Sequence, residues 1–213
     1  MQKKASALLP LAATALLVAG MGGCTWISNT GMGPAAAGPG TDARPAAELL
    51  PEMELILPEL LARGSGDSPL EVREFREESC LDPIEDDNWN TETRPLAWMT
   101  GSVPDHETAQ ATMDAWKSHL EAQQWIHDNE WRNSPDTNGD VQVMLYHHGE
   151  LELTARYDHA ELGGSRSVEV LITGSCTENP ADHQMIRSRL DPGYGLHSSY
   201  YDYAAEKAQR GRP

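Results

Sequence analysis

The sequence predicts an α+β domain: an antiparallel meander of four to five strands on one main helix, ordered β-α-β-β-β-β and closed by one disulfide. Three observations carry that expectation. One segment repeats apolar residues at helical spacing, several short segments alternate with a period of two between turn signals, and two cysteines flank the patterned region. The domain is placed at residues 81–176.

A first strand is expected from Leu96 to Val103, ended by Gly101 and Pro104. The stretch DHETAQATMDAWKSHLEAQQ follows, with Ala109, Met113, Trp116 and Leu120 on one helical face and Gln110, Asp114, Lys117 and Glu121 elsewhere. Asp105 beside Pro104, followed by Glu107 and Thr108, suits a helix start. Trp125 to Arg132 reads as a strand leading into NSPDTNGD, where Asn138-Gly139 signals a hairpin. Val141, Val143 and Leu145 then alternate with Gln142, Met144 and Tyr146. After His148-Gly149, Leu151, Leu153, Ala155 and Tyr157 alternate with Glu152, Thr154 and Arg156. Gly163-Gly164 makes another turn, and Val168, Val170 and Ile172 form the last strand. Short connections imply hairpins, so one sheet face should be wet and the other lie under the Trp116 helix.

Residues 47–80 are expected to be helical or irregular: a helix near Ala46 to Arg63, broken by Pro51 and Pro58 and packed loosely on the domain. Residues 177–213 are expected to be a polar tail without fixed structure, in which YYDYAAEKAQR forms a frayed helix.

The amino terminus has a separate logic. Lys3 and Lys4 precede an uncharged Ala-, Leu- and Val-rich run, and Gly22 and Gly23 precede Cys24. This is the layout of a signal peptide over residues 1–23, with the positive end held in the cytoplasm. A cysteine directly after the small residues adds the pattern of a lipobox, in which the thiol receives a diacylglyceryl group. Met21 stands where Leu is commonest. The competing reading, an uncleaved membrane helix, has an apolar run short of the ~20 residues needed to span a bilayer and interrupted by Pro10. Residues 24–46 are then the lipidated cysteine and a Gly-, Ala- and Pro-rich tether. The expected location is the extracytoplasmic side of the cell membrane, with membrane lipid as partner through Cys24.

The chain has 16 basic and 33 acidic residues, and loss of Lys3 and Lys4 with the signal leaves 14 basic residues and a formal charge of −19. That field repels phosphate backbones and excludes a nucleic-acid partner. With Cys24 assigned, Cys80 and Cys176 face an oxidising compartment and are expected to pair. They flank the expected core, and closing a loop of that order stabilises by up to ~4–5 kcal/mol in the chain-entropy model.

No catalytic residue emerges. His147 and His148 are adjacent, so in a strand they point to opposite faces and do not chelate together. Asp136 to Asp140 resembles the start of a calcium loop, but the sixth and twelfth positions hold Val141 and His147 where Gly and Glu belong. Glu85-Asp86-Asp87 reads as a solvated loop. Ser165 and Ser175 lack the strand-to-helix elbow of a nucleophilic serine. No metal or cofactor is expected. Five of the six tryptophans, Trp89, Trp98, Trp116, Trp125 and Trp131, lie in one stretch of a chain with a single Phe. Trp116 and one of Trp98 or Trp125 are expected in the core. Trp89 and Trp131 lie among polar residues and are the candidate ligand contacts, since exposed indoles stack on sugar or peptide.

The lipobox, the tether, the Cys80…Cys176 frame and the W-x3-L…W helix-to-strand junction before a meander resemble the small actinobacterial cell-envelope lipoproteins of the Lpp type. The resemblance covers residues 1–180 and brings no catalytic residues. The function expected is that of a membrane-anchored lipoprotein displaying a small binding or structural domain to an envelope protein or glycan. Two rivals are a solute- or glycan-binding lipoprotein, which needs an apolar pocket lined by spare tryptophans, and an envelope hydrolase, which needs convergent polar groups of shifted acidity.

Overall fold

The structure, a computed structural model, describes residues 43–64, 70–81, 89–132, 141–158 and 166–210. The signal, Cys24 and most of the tether lie outside the described residues, as do the Asp136–Asp140 turn, Glu85-Asp86-Asp87, Gly163-Gly164 and Ser165. The fold is α+β, with seven antiparallel strands and the Cys80–Cys176 disulfide.

The elements run α1 (Ala46–Ala62), β1 (Glu71–Ser79), β2 (Glu92–Ser102), α2 (His106–Ala122), β3 (Ile126–Arg132), β4 (Val141–His148), β5 (Leu151–Asp158), β6 (Ser167–Thr173), β7 (Thr177–Glu178) and α3 (Tyr203–Arg210). Across the sheet the order is β1-β2-β6-β5-β4-β3, with β7 on β2. Strands β3 to β6 form the expected meander. Helix α2 carries the chain from β2 to the far edge.

Helix α2 has the expected form. Asp105 Oδ1 accepts from the Thr108 backbone N–H at 2.7 Å, a bond that holds its carboxyl below the usual range. Ala109, Met113, Trp116 and Leu120 are all buried. At the other end Trp125 N donates to Leu120 O at 2.9 Å and Gln124 N to Glu121 O at 3.1 Å, a Schellman closure. It places Gln124 at φ 64°, and it delivers Trp125 to the core.

The cores of β5 and β6 follow the alternation, with Leu151, Leu153, Ala155, Tyr157, Val168, Val170 and Ile172 buried. Strand β4 has the opposite phase from the one its aliphatic residues suggest. Gln142, Met144 and Tyr146 are buried, while Val141, Val143 and Leu145 are only partly covered. Cross-strand register decides this: Tyr146 pairs with Leu153, Met144 with Ala155 and Gln142 with Tyr157. A one-residue shift would have reversed every face.

Two corrections concern the flanks. Helix α1 is a core element: Leu49, Met53, Leu57 and Leu60 are fully buried and Leu50 nearly so. It runs unbroken through Pro51 and Pro58. Five buried side chains at about 1.5–3 kcal/mol each outweigh two interior prolines at about 3 kcal/mol each. The Trp116 indole N–H donates to Leu60 O at 3.1 Å, joining α2 to the end of α1, so two helices cover the inner sheet face. Strand β1, within the segment expected to be helical or irregular, pairs with β2 from Glu71↔Thr100 to Ser79↔Thr93 across one bulge. Its inward residues are Phe75 and Glu77.

Residues 177–210, expected as a tail, complete the sheet edge. Glu77 N donates to Ile186 O and Ser188 N to Phe75 O, both at 2.9 Å. Phe75 N donates to Asp191 Oδ2 at 2.7 Å. The Phe75 and Glu77 amides at the β1 edge are thereby met by the strap formed by residues 183–202. Its buried polar side chains find partners, which lets a polar sequence pack: Arg187 meets Glu206 at 2.8 and 2.9 Å, and Ser188 donates to Glu54 of α1 at 2.5 Å.

Candidate functional site

The sheet alternation puts Arg76 and Glu78 on the outer face of β1, opposite Leu96 and Arg94 of β2. Beside them the strap brings Met185, Tyr200 and Tyr201, and the chain re-entering toward β2 brings Trp89. Together with Ser79 these residues line a cleft of about 320 Å³. The Trp89 and Tyr200 rings are 6.3 Å apart and inclined at 50°. They form a bent aromatic wall.

Under the cleft lies a buried carboxylate. Glu77, on the inward face of β1, is 2% exposed. It accepts from the Thr93 hydroxyl and from the Ile186 backbone N–H at 3.1 Å. His183 Nε2 lies 2.7 Å from the same carboxylate. Tyr201 donates its hydroxyl to Glu77 O at 2.9 Å, and the Arg187 guanidinium sits over the Tyr201 ring at 4.5 Å. The strap is thus anchored from beneath, and the cleft wall is preformed.

The charges of the cleft are paired. Arg76 meets Glu74 at 2.8 Å and Glu78 meets Arg94 at 2.7 Å. Burial pushes the Glu78 carboxyl above its ordinary range, with Arg94 pulling the other way. Burial also pushes the Tyr201 phenol up to about 12, against the pull of Arg76. Arg76 Nε is buried and has no hydrogen-bond partner among the described residues.

The chain matches no family model, no curated protein and no solved structure.

Of the two candidate ligand contacts, Trp89 lines the cleft and Trp131 does not. Trp131 is half exposed on β3, four strands from β2, about 19 Å away at ~4.8 Å per strand. Twist of about 20–25° per strand turns it further from the cleft. The core pair is Trp116 and Trp125, and Trp98 stays 36% exposed on the outer face. His147 and His148 do point apart: His147 Nδ1 lies 2.8 Å from Asp128, and the His148 ring packs on Trp125 at 5.5 Å. Among the described residues, Cys80, Glu92 and Cys176 are the one grouping of metal-ligand types, and its two sulfurs are bonded to each other.

Sequence reasoning missed Arg76, Glu78, Tyr200 and Tyr201. A signal for the tyrosines existed, because three of the chain's six lie at positions 200, 201 and 203. The charged pair offered none, since EVREFREES has the composition of a solvated segment.

Proposed function

We propose that this chain is a lipid-anchored extracytoplasmic binding protein, tethered through Cys24 and taking its ligand in the cleft between β1 and the strap. One observation carries the binding assignment: a preformed cleft of about 320 Å³ walled by Trp89, Tyr200 and Tyr201. Concave, mostly apolar sites with a few convergent polar groups are the usual form of a ligand pocket. The lipobox pattern, the tether and the oxidised cysteines support the anchoring and the compartment. Among the described residues no helix is long and apolar enough to cross a membrane.

A hydrolase reading draws on Glu78, whose carboxyl burial holds protonated above the ordinary carboxylate range. Glycoside hydrolysis ordinarily needs a second carboxylate across the bond, and Glu78 is the only carboxylate among the described cleft-lining residues. Binding is the better account.

Native mass spectrometry of the full-length product extracted from its own host tests the proposal. The expected spectrum shows a chain beginning at Cys24 with a diacylglyceryl adduct, two hydrogens lost from the Cys80–Cys176 pair, and a discrete ligand mass that the Trp89→Ala variant no longer retains. An unmodified Cys24 on an uncleaved chain would overturn the anchoring. A ligand mass retained equally by Trp89→Ala would overturn the cleft as its site.

A further inference from the structure

We infer that the cleft takes an uncharged sugar unit of a glycan, its apolar ring face on Trp89 and Tyr200 and its hydroxyls on Glu78, Ser79 and Arg76. The inference rests on the cleft being the ligand site. Four observations narrow the chemistry to this class.

First, the cleft is amphipathic in the way a sugar is. Its lining combines the rings of Trp89, Tyr200 and Tyr201 with a carboxylate, a hydroxyl and a guanidinium, the last lying over the Tyr201 ring at 6.0 Å. Indole and phenol rings cover the C–H face of a pyranose while polar groups meet its edge. Second, the charges already have partners in Glu74 and Arg94. An ionic ligand must break those pairs. A hydroxyl donates and accepts, so it adds to the free lone pairs of Glu78 without displacing Arg94. Third, a peptide adding as a strand needs an open edge, and residues 186–191 already fill the β1 edge beside the cleft. Fourth, the formal charge of −19 after loss of the signal repels polyanions.

The site extends in one direction. Trp98 lies on the same outer face, since Leu96 pairs with Arg76 and Trp98 with Glu74. At one diagonal step along the sheet it is within aromatic reach of the cleft rim and offers a second ring for the next sugar unit.

The test titrates the full-length chain, held in a detergent without a sugar headgroup, with soluble cello-, xylo-, malto- and chito-hexaoses, read by tryptophan fluorescence and calorimetry. At least one series should bind saturably and more tightly as its length grows from two units to six. Trp89→Ala should weaken it roughly tenfold or more, as truncation of a buried aromatic anchor does, with Trp89→Phe recovering most of the loss and Trp98→Ala removing the gain from length. Trp131→Ala, five strands from β1, should bind like the parent. Failure of all four series at millimolar concentration overturns the glycan class. If a panel of uncharged peptides binds instead and Trp89→Ala abolishes it, the glycan inference fails while the cleft stands. Sugar binding lost in Trp131→Ala and kept in Trp89→Ala overturns the cleft itself.

Discussion

Removing the disulfide gives the most quantitative test of how this fold holds together. Cys80 follows β1 and Cys176 precedes β7, with a sequence separation of 96. For a loop of that size the chain-entropy relation gives about 4.7 kcal/mol at 25 °C. Both ends border the same strand, since β1 and β7 each pair with β2, and Cys80 N also donates to Glu92 O at 2.9 Å. Backbone pairing therefore keeps the native ends in place when the sulfurs are gone, and the loss acts through the freed unfolded chain. The double variant Cys80→Ala/Cys176→Ala avoids a stray thiol. In urea unfolding it should lose about 3–5 kcal/mol, the upper figure being a ceiling because real unfolded chains keep some compactness. Its dependence on urea should steepen, because a chain without the cross-link exposes more surface. A loss below about 1 kcal/mol with an unchanged slope would refute the reasoning, since the bridge would then not constrain the unfolded state.

Leu57→Ala should cost about 2–5 kcal/mol in the same assay, because Leu57 is fully buried between α1 and the sheet; a loss under ~0.5 kcal/mol would mean a helix merely resting on the surface. Gln124→Gly should stabilise by about 0.5–1 kcal/mol, since φ 64° at the Schellman position strains any residue with a Cβ; a melting temperature that stays or falls would contradict this. Glu130 accepts from Arg132 and Lys117, which together hold its carboxyl below the ordinary 4.5. A depressed folded-state value stabilises above the ordinary carboxylate range and is lost as pH falls through it. Glu130→Gln should accordingly cost about 0.5–1 kcal/mol at pH 7, a difference that closes in acid; a gap that persists at pH 2–3 would assign the effect to packing instead.

The legible parts of the fold were those where one physical effect dominates. Ala109, Met113, Trp116 and Leu120 are apolar on one face and polar on the other, and that contrast survives any packing. Strands β5 and β6 were legible for the same reason. Strand β4 was legible as a strand but not in phase, because Val143 and Leu145 are as apolar as Met144 and Tyr146, and only pairing with β5 chooses between the faces. Strand β1 was invisible because its inward positions hold Phe75 and Glu77, and a buried glutamate looks like a surface one until its partners are known. Two of those partners, His183 and Ile186, lie more than 100 residues away in sequence. Trp89 stood out as an aromatic in polar surroundings. The residues completing its cleft are charged or lie in the strap, where hydropathy carries no signal.

The strap shows how a strongly acidic chain builds a specific site without an apolar sequence to direct it. Glu77, Asp191 and Glu206 are each nearly inaccessible, and each is met by a donor: Glu77 and Asp191 by the Ile186 and Phe75 amides more than 100 residues away, and Glu206 by the Arg187 guanidinium. A buried ion pair contributes little net stability, yet removing one partner leaves an uncompensated charge at a cost of about 3–5 kcal/mol. Misplaced registers of the strap are therefore penalised heavily while the native one is only modestly favoured. That asymmetry fixes position, which is what Tyr200 and Tyr201 require to join Trp89 in lining the cleft. The same contacts cap the β1 edge, whose open donors would otherwise recruit another strand. Edge protection and cleft construction are in this way one structural act, and the acidic residues that make the chain look featureless in sequence are the ones that perform it.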